Sequence, residues 1–221
     1  MNDFDLILAS NSPRRAQLLG LTGLRFIIRP ANIDESRLPG EHPAPHVLRL
    51  AGEKARAAAA GADGPLVLAS DTIVVDGEDI LGKPRGAQDA RRMLMQLRGR
   101  THQVFTAVAI SDPATHREQV DLCVTDVPMR FYSDAEMDAY IASGDPFDKA
   151  GAYAIQHAGF HPVEKMTGCF ASVMGLPLCH VLRLLQAFGL AAGSDVPAAC
   201  QQTLAYDCPV YQAILKGESI R

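Results

Sequence analysis

Several common protein classes are excluded by what this chain lacks. It has only five cysteines (Cys123, Cys169, Cys179, Cys200, Cys208), an odd number, widely spaced and never as CxxC. That pattern signals neither a zinc site nor a disulfide framework and fits reduced thiols in a cytosol. No stretch reaches the length of an apolar membrane span, and residues 1–10 lack both the charged and the long apolar parts of a secretion signal. A cytoplasmic protein without membrane contact is the expectation. An excess of one charge sign is also missing. The formal net charge of −4 argues against a dedicated nucleic-acid or membrane-surface binder, though it leaves room for a local basic cleft. GxxxxGK[ST] is absent, so nothing supports a P-loop nucleoside triphosphatase. Before residue 190 there is no internal repeat and no low-complexity linker.

What remains is an ordinary soluble composition. Its 221 residues, 48% hydrophobic and 21% charged, suffice for one large domain or two small lobes around a real core. The first informative stretch runs from Leu6 to Leu19. A short apolar strand enters the turn Ser10-Asn11-Ser12, and the turn opens a helix. Ser12 suits the N-cap, and Pro13 suits the first helical position, where a missing N–H costs nothing. Arg14 and Arg15 then fall in the first turn, where cations oppose the helix dipole. Two solvated surface arginines are one reading. An anion at that helix end is the other, since free backbone N–H groups and two guanidinium forks would converge on it. The stretch reads as a polyphosphate grip.

Further along, the helix from Arg14 is expected to stop near Gly20 or Gly23, before a short strand at Phe26–Ile28. A polar loop from Pro30 to Pro39 carries Asp34 and Glu35. Residues 45–60 read as a helix whose face joins Val47, Leu50, Ala51, Lys54 and Ala58, so a lysine lies on the stripe that should meet a sheet. Snorkelling from the edge of that stripe is the plain explanation for Lys54. Residues 66–75 form an almost wholly apolar strand interrupted by Ser70-Asp71-Thr72. A carboxylate buried there must be paired, metal-bound or catalytic, because leaving it bare costs several kcal/mol.

Residues 76–79 make a hairpin turn into Ile80-Leu81, and Gly82-Lys83-Pro84 holds a lysine between two backbone-restricting residues. A helix over 87–98 and a long hairpin, 102–110 with 119–131, follow. Ser133-x-x-Glu136 is a capping box for a helix ending at Gly144. The charged loop from Gly144 is expected to run into a strand ending at Gln156. A further strand is expected at 169–174, before Gly175-Leu176-Pro177 turns into a last core helix with Leu178, Val181, Leu182, Leu185 and Phe188 on its stripe. Residues 190–221 show less periodicity and read as a peripheral or partly disordered extension.

Of the five lysines in the chain, Lys54, Lys83 and Lys149 sit at points singled out on other grounds. With Arg14, Arg15, Glu35 and Asp71 they form a kit for a nucleoside triphosphate and a divalent metal. The cations neutralise phosphate, the carboxylates hold a hard metal, and one carboxylate can activate water.

Taken together, Ser12-Pro13-Arg14-Arg15, Ile33-Asp34-Glu35, Lys54-Ala55, Ser70-Asp71-Thr72, Gly82-Lys83-Pro84, the run from Asp148 to Gln156 and Gly175-Leu176-Pro177 closely resemble the Maf family. The resemblance covers roughly residues 5–190, in order and at fitting spacings. It implies a nucleoside triphosphate pyrophosphatase with an elongated, two-lobed α/β fold, a mixed β-sheet flanked by helices, similar to inosine triphosphate pyrophosphatases. It also implies a homodimer and a requirement for Mg²⁺ or Mn²⁺. Position by position, Asp71 matches the family's catalytic general base, and Glu35 with Asp71 the metal ligands. Arg15, Lys54 and Lys83 match phosphate contacts, while Arg14, Thr72 and Gln156 match positions linked to base discrimination. Ser12 and Lys149 belong to the substrate-binding motifs, as does Asp148.

The Asp-Lys-Ala-Gly-Ala-Tyr-x-Ile-Gln form, with Thr101-His102-Gln103-Val104, resembles the branch acting on dTTP and UTP. The physical reason would be complementarity: a Gln amide can accept from the pyrimidine N3–H and donate to the adjoining carbonyl. An ordinary strand-end amide is the plain reading of Gln156. One departure stands out. Where that branch has Gly-Ser-Tyr before its Val-Val-Gly-Leu-Pro, this chain has Gly168-Cys169-Phe170 and then Val173-Met174-Gly175, and a hydroxyl lost near the site would relax base choice. Two alternatives stay open: a pyrophosphatase preferring modified or purine nucleotides, and a nucleotide-binding regulator of cell division. Metal-dependent release of pyrophosphate separates an enzyme from a regulator.

Overall fold

The structure, a computed structural model, describes residues 3–60 and 64–218. The short strand β1 (Leu6–Leu8) pairs in parallel with β2 (Phe26–Ile28) on one side and with the central β3 (Leu66–Asp76) on the other. All three β1 residues are buried, as a strand covered on both faces requires. On its far side β3 pairs antiparallel with β5 (Thr101–Asp112), which forms a long hairpin with β6 (Arg117–Pro128). The mixed six-stranded sheet has the order β2-β1-β3-β5-β6, and β4 (Asp79–Leu81) folds back on the end of β3.

One face of the sheet is covered by α2 (Pro43–Ala59), whose Val47, Ala51, Ala55 and Ala58 meet Ile7, Val67, Ala69, Ile73 and Ala107. The other face carries larger side chains, Leu6, Leu8, Leu68, Val108 and Ile110. They pack among α1 (Pro13–Gly20), α3 (Ala87–Leu97), α4 (Asp134–Ala142) and α6 (Leu178–Ala187). Each such leucine contributes about 1.5–3 kcal/mol by leaving water. The capping box before α4 is present: Ser133 Oγ accepts from Glu136 N at 3.2 Å, and Ser133 N donates to Glu136 Oε2 at 2.8 Å.

The sheet positions the site through a gap. β1 pairs with β3 only as far as Leu68, and β4 joins the same strand only from Val74. Residues 69–73 therefore have a strand neighbour on the β5 side alone, with Asp71 at the middle of the open edge. Ligands of open α/β sheets collect at such interruptions, beside the carboxyl ends of the strands.

Three expectations are corrected. Ala150–Ala152 is a tight helical turn and 153–156 has no strand partner among the described residues, because Gly151 (φ 68°) and Ala152 (φ 60°) are both left-handed and turn the chain. Phe170–Met174 is a short helix, α5, closed by Gly175 at φ 108°, where the strand was expected. The tail is more ordered than its composition suggests. It forms α7 (Val196–Leu204), capped by Asp195, and α8 (Tyr211–Leu215), with Val196 and Ile214 buried in the core.

Candidate active site

A cavity of about 680 Å³ opens over the gap in the sheet. Ser12, Arg14, Arg15, Glu35, Lys54, Asp71, Thr72, Lys83, Lys149 and Gln156 all line it, as does Asp148. Residues spread over most of the sequence are thus brought to one place.

Strand alternation sorts the chemistry. Successive residues of β3 face opposite sides of the sheet. Asp71 shares its face with Val67, Ala69 and Ile73 and so points toward α2, which presents Lys54. Lys54 Nζ lies 2.7 Å from Asp71 Oδ1 and 2.7 Å from Glu35 Oε1. Asp71 and Lys54 are buried, while the Glu35 side chain is 58% exposed at the cavity rim. Partial burial pushes the Glu35 carboxyl up, but the Lys54 ammonium, with Lys83 and Arg15, outweighs it and holds the group below the usual carboxylate range. The loop bearing Glu35 is anchored by Arg49, which donates to the Ser36 carbonyl at 3.0 Å and to both Glu41 carboxylate oxygens at 2.7 and 2.8 Å.

Ser70 and Thr72 face the other way. Arg15 reaches across that side, donating from Nε to the Gly175 carbonyl at 2.9 Å, from Nη1 to Ser10 Oγ at 3.3 Å and from Nη2 to Thr72 Oγ1 at 3.2 Å. Thr72 Oγ1 is 3.1 Å from Thr106 Oγ1, itself 2.9 Å from the Ser172 carbonyl. Ser70 Oγ lies 2.9 Å from the Gly175 carbonyl. Position 175 needs glycine twice over: its φ is 108°, and a Cβ there would stand 3.3 Å from Arg15 Nε. Ser12 caps α1 as expected, accepting from Arg15 N at 3.5 Å.

The third wall is the segment from Asp145 to Gln156. Lys149 Nζ donates to the Asp145 carbonyl at 2.5 Å, to Asp145 Oδ1 at 3.0 Å and to Asp148 Oδ1 at 2.6 Å. Asp148 also accepts from Arg14 Nη1 at 3.1 Å. Burial raises the Asp148 carboxyl, but Lys149 and Arg14 together bring it below its ordinary value. Gly151 N donates to the Gly82 carbonyl at 3.1 Å, tying this wall to the turn that carries the exposed Lys83. Gln156 is exposed at the cavity edge.

Sequence reasoning missed Ser10, Thr106 and the Gly175 carbonyl. The only available signal was a hydroxyl at an apolar strand: Ser10 just after β1 and Thr106 inside β5. The departure from the branch pattern is split: Cys169 is buried in the core and Phe170 packs on Tyr206 with ring centroids 5.5 Å apart, both outside the cavity lining, whereas Met174 lines the cavity.

The donor set fits a hard divalent cation. The Asp71 and Glu35 carboxylates converge on one ammonium and offer hard oxygen donors, and Mg²⁺ is typically bound through one or two carboxylates plus substrate phosphates. Among the described residues no group of three or more His, Cys, Asp or Glu is arranged to hold a metal alone.

Fold and cleft together define an α/β protein with lysines, arginines and carboxylates gathered at a break in its sheet. The chain belongs to the Maf family: the family model described as Maf-like protein matches residues 5–188. It is 47% identical over 189 residues to a dTTP/UTP pyrophosphatase of Geobacter sp. (strain M21), covering 86% of this chain and 98% of the relative. A dTTP/UTP pyrophosphatase of Anaeromyxobacter dehalogenans (strain 2CP-1 / ATCC BAA-258) is 50% identical over 186 residues, 83% of this chain and 94% of the relative. One of Thermomicrobium roseum (strain ATCC 27502 / DSM 5159 / P-2) is 45% identical over 214 residues and covers 94% of both chains. No described helix is long and apolar enough to cross a membrane.

Proposed function

We propose that the protein hydrolyses nucleoside triphosphates between the α- and β-phosphates, releasing a nucleoside monophosphate and pyrophosphate, with dTTP and UTP as preferred substrates. The observation that carries this reading is Lys54 Nζ standing 2.7 Å from both Asp71 and Glu35 in a cavity that also holds Arg14, Arg15 and Lys83. In this reading Lys54, Lys83 and Arg15 receive the triphosphate and take up the charge that develops on the departing pyrophosphate. Asp71 accepts a proton from water, whose oxygen bonds the α-phosphorus as the bond to the α–β bridging oxygen breaks. Glu35 and Asp71 would hold Mg²⁺ or Mn²⁺ against the phosphates, where the cation supplies Lewis-acid polarisation. Arg14, Thr72 and Gln156 border the space left for the base, and Ser12 and Lys149 shape its phosphate and loop sides.

The names of the relatives support the pyrimidine assignment, and so does the placement of Cys169 and Phe170 outside the cavity lining. A homodimer in the cytoplasm completes the reading, and light scattering tests the oligomer. The decisive assay is a panel of nucleoside triphosphates with Mg²⁺, measuring pyrophosphate and orthophosphate separately. Pyrophosphate release, fastest from dTTP and UTP and abolished by EDTA, is the expected result. Orthophosphate as the only product, or no hydrolysis, would overturn it.

A further inference from the structure

Residues 148–156 hold an improbable backbone. Gly151 and Ala152 are consecutive left-handed residues, at φ 68° and 60°. A Cβ on Gly151 would stand 2.9 Å from Val74 Cγ2, so the turn is pressed onto β3. A non-glycine residue in this region costs on the order of 1–3 kcal/mol and persists only where its surroundings fix it. Two of the fixing contacts are plain: Gly151 N donates to the Gly82 carbonyl at 3.1 Å, and Ala154 N donates to Tyr140 Oη at 2.9 Å.

The third contact involves a residue the proposed reaction does not use. Tyr153, directly after the left-handed pair, points its phenol away from solvent to His102 of β5, with Nε2 to Oη at 2.8 Å. The rings meet edge-on, with centroids 5.4 Å apart and planes at 82°. Both residues are buried, and His102 Nδ1 has no partner among the described residues. A buried polar atom left bare has a cost, and an apolar side chain at 102 would remove it. The imidazole is therefore poorly explained as core filling, whereas its other nitrogen holds the Tyr153 hydroxyl directly beside the turn.

We infer that His102, acting through the Tyr153 hydroxyl, is a positioning residue for nucleobase recognition: it sets the backbone from Tyr153 to Gln156 that lines the base side of the cavity. The inference rests on the pyrophosphatase reading. It differs from a general role in folding, because Asp71, Lys54 and Glu35 are held by separate elements. Loss of the contact should disturb substrate choice before chemistry.

The test compares kcat and KM for dTTP, UTP and dATP in wild type, Tyr153→Phe, His102→Phe, His102→Gln and the double variant Tyr153→Phe/His102→Phe. Tyr153→Phe deletes a single oxygen and keeps the question decidable even where a His102 variant folds poorly. It is expected to raise KM for the preferred nucleotides about 3- to 10-fold, the equivalent of one hydrogen bond, with kcat changed less than about 2-fold and the base-selectivity ratio reduced. The double variant should be no worse than His102→Phe, and His102→Gln should recover part of the selectivity. An unchanged selectivity ratio in Tyr153→Phe, or additive losses in the double variant, would overturn the inference. So would an equal fall in kcat for every nucleotide accompanied by a lower Tm. A wild-type enzyme that releases no pyrophosphate from any nucleotide would remove the underlying reading instead, a result visible before any variant is made.

Discussion

Lys54 Nζ donates to Asp71 Oδ1 at 2.7 Å, joining the middle of α2 to the unpaired edge of β3. A buried carboxylate and a buried ammonium thus offset each other's desolvation, and the pair stays at the floor of the cavity. Asp71→Asn should leave the fold in place, since Lys54 keeps Glu35 as a counter-charge, while turnover falls by about 10²–10⁴, the usual contribution of a general base. Pyrophosphate release by purified, folded protein measures this. Retention of more than about a tenth of the wild-type rate would show that Asp71 is not the base.

Lys83 and Arg15, on the phosphate side, and Arg14, on the base side, should separate in their effects. Lys83 is exposed, and Arg14 makes one ion pair with the largely exposed Asp148. Lys83→Ala and Arg14→Ala should raise KM for the triphosphate with stability within about 0.5 kcal/mol of wild type. Arg15 instead bridges Ser10, Thr72 and the Gly175 carbonyl. Arg15→Ala should lower activity and also cost about 2 kcal/mol or more, because it removes three partly buried hydrogen bonds at once. Urea titration alongside kinetics gives both numbers, and equal stability losses in all three would refute the distinction.

How far the site could be read from the chain depended on periodicity. Asp71 showed because a carboxylate breaks an otherwise apolar strand, and Lys54 because it falls on the stripe of α2; the structure joins these two anomalies. Where local pattern and tertiary context disagree, the reading failed. Tyr153-Ala154-Ile155 looks like a strand, but the left-handed backbone at Gly151 and Ala152 is imposed by contact with Val74 and Gly82 and leaves no periodic trace. Phe170–Met174 has strand-like composition, yet Gly175 provides a left-handed helix stop that turns it into α5. Tail helices α7 and α8 are short and weakly periodic and acquire order from packing against α6.

That packing changes what truncation should do. Among the described residues none beyond Gly175 lines the cavity, but Tyr206 Oη lies 3.1 Å from the Met166 carbonyl and 2.9 Å from that of Gly168, just ahead of α5. A chain ending at Leu190 should lose on the order of 2–4 kcal/mol, the burial of Val196 and Ile214 being partly offset by the entropy of ordering the tail. Its activity per folded molecule at low temperature should stay within several-fold of wild type. A folded but inactive truncation would place the tail in the site itself.

His102 should make the protein acid-sensitive. Burial pushes its pKa down from 6.5 to about 4, against the opposing pull of Asp76 and Asp126. In the unfolded chain the imidazole takes up a proton near pH 6.5, and in the folded protein only near pH 4. The stability associated with the neutral ring is therefore present above about pH 6.5 and lost progressively as pH falls toward 4, by about 3 kcal/mol at most. Urea unfolding of wild type and His102→Phe between pH 7 and 4 checks it. The variant should start less stable but lose less over that interval; parallel curves would show that His102 does not titrate in this way.

Base choice provides the last prediction, and it turns on one amide. Gln156 sits at the exposed rim of the cavity, at the end of the segment that Tyr153 and Tyr140 hold in place. A pyrimidine with a 4-oxo group presents N3–H beside a carbonyl, so a Gln side chain can accept from the first and donate to the second. Gln156→Glu keeps the acceptor but turns the donor into a second acceptor, facing O4 with a negative charge. The expected cost is roughly 1–3 kcal/mol in kcat/KM for dTTP and UTP, about 5- to 150-fold, because a site built around a hydrogen bond discriminates strongly when that bond is mismatched. A cytosine nucleotide carries an amino group where thymine has O4, and its N3 is an acceptor, so dCTP should be affected less or gain through the exocyclic amine. The measurement is kcat/KM for dTTP, UTP, dCTP and dATP with wild type and Gln156→Glu. A uniform loss across all four would show that Gln156 shapes the cavity without reading the base.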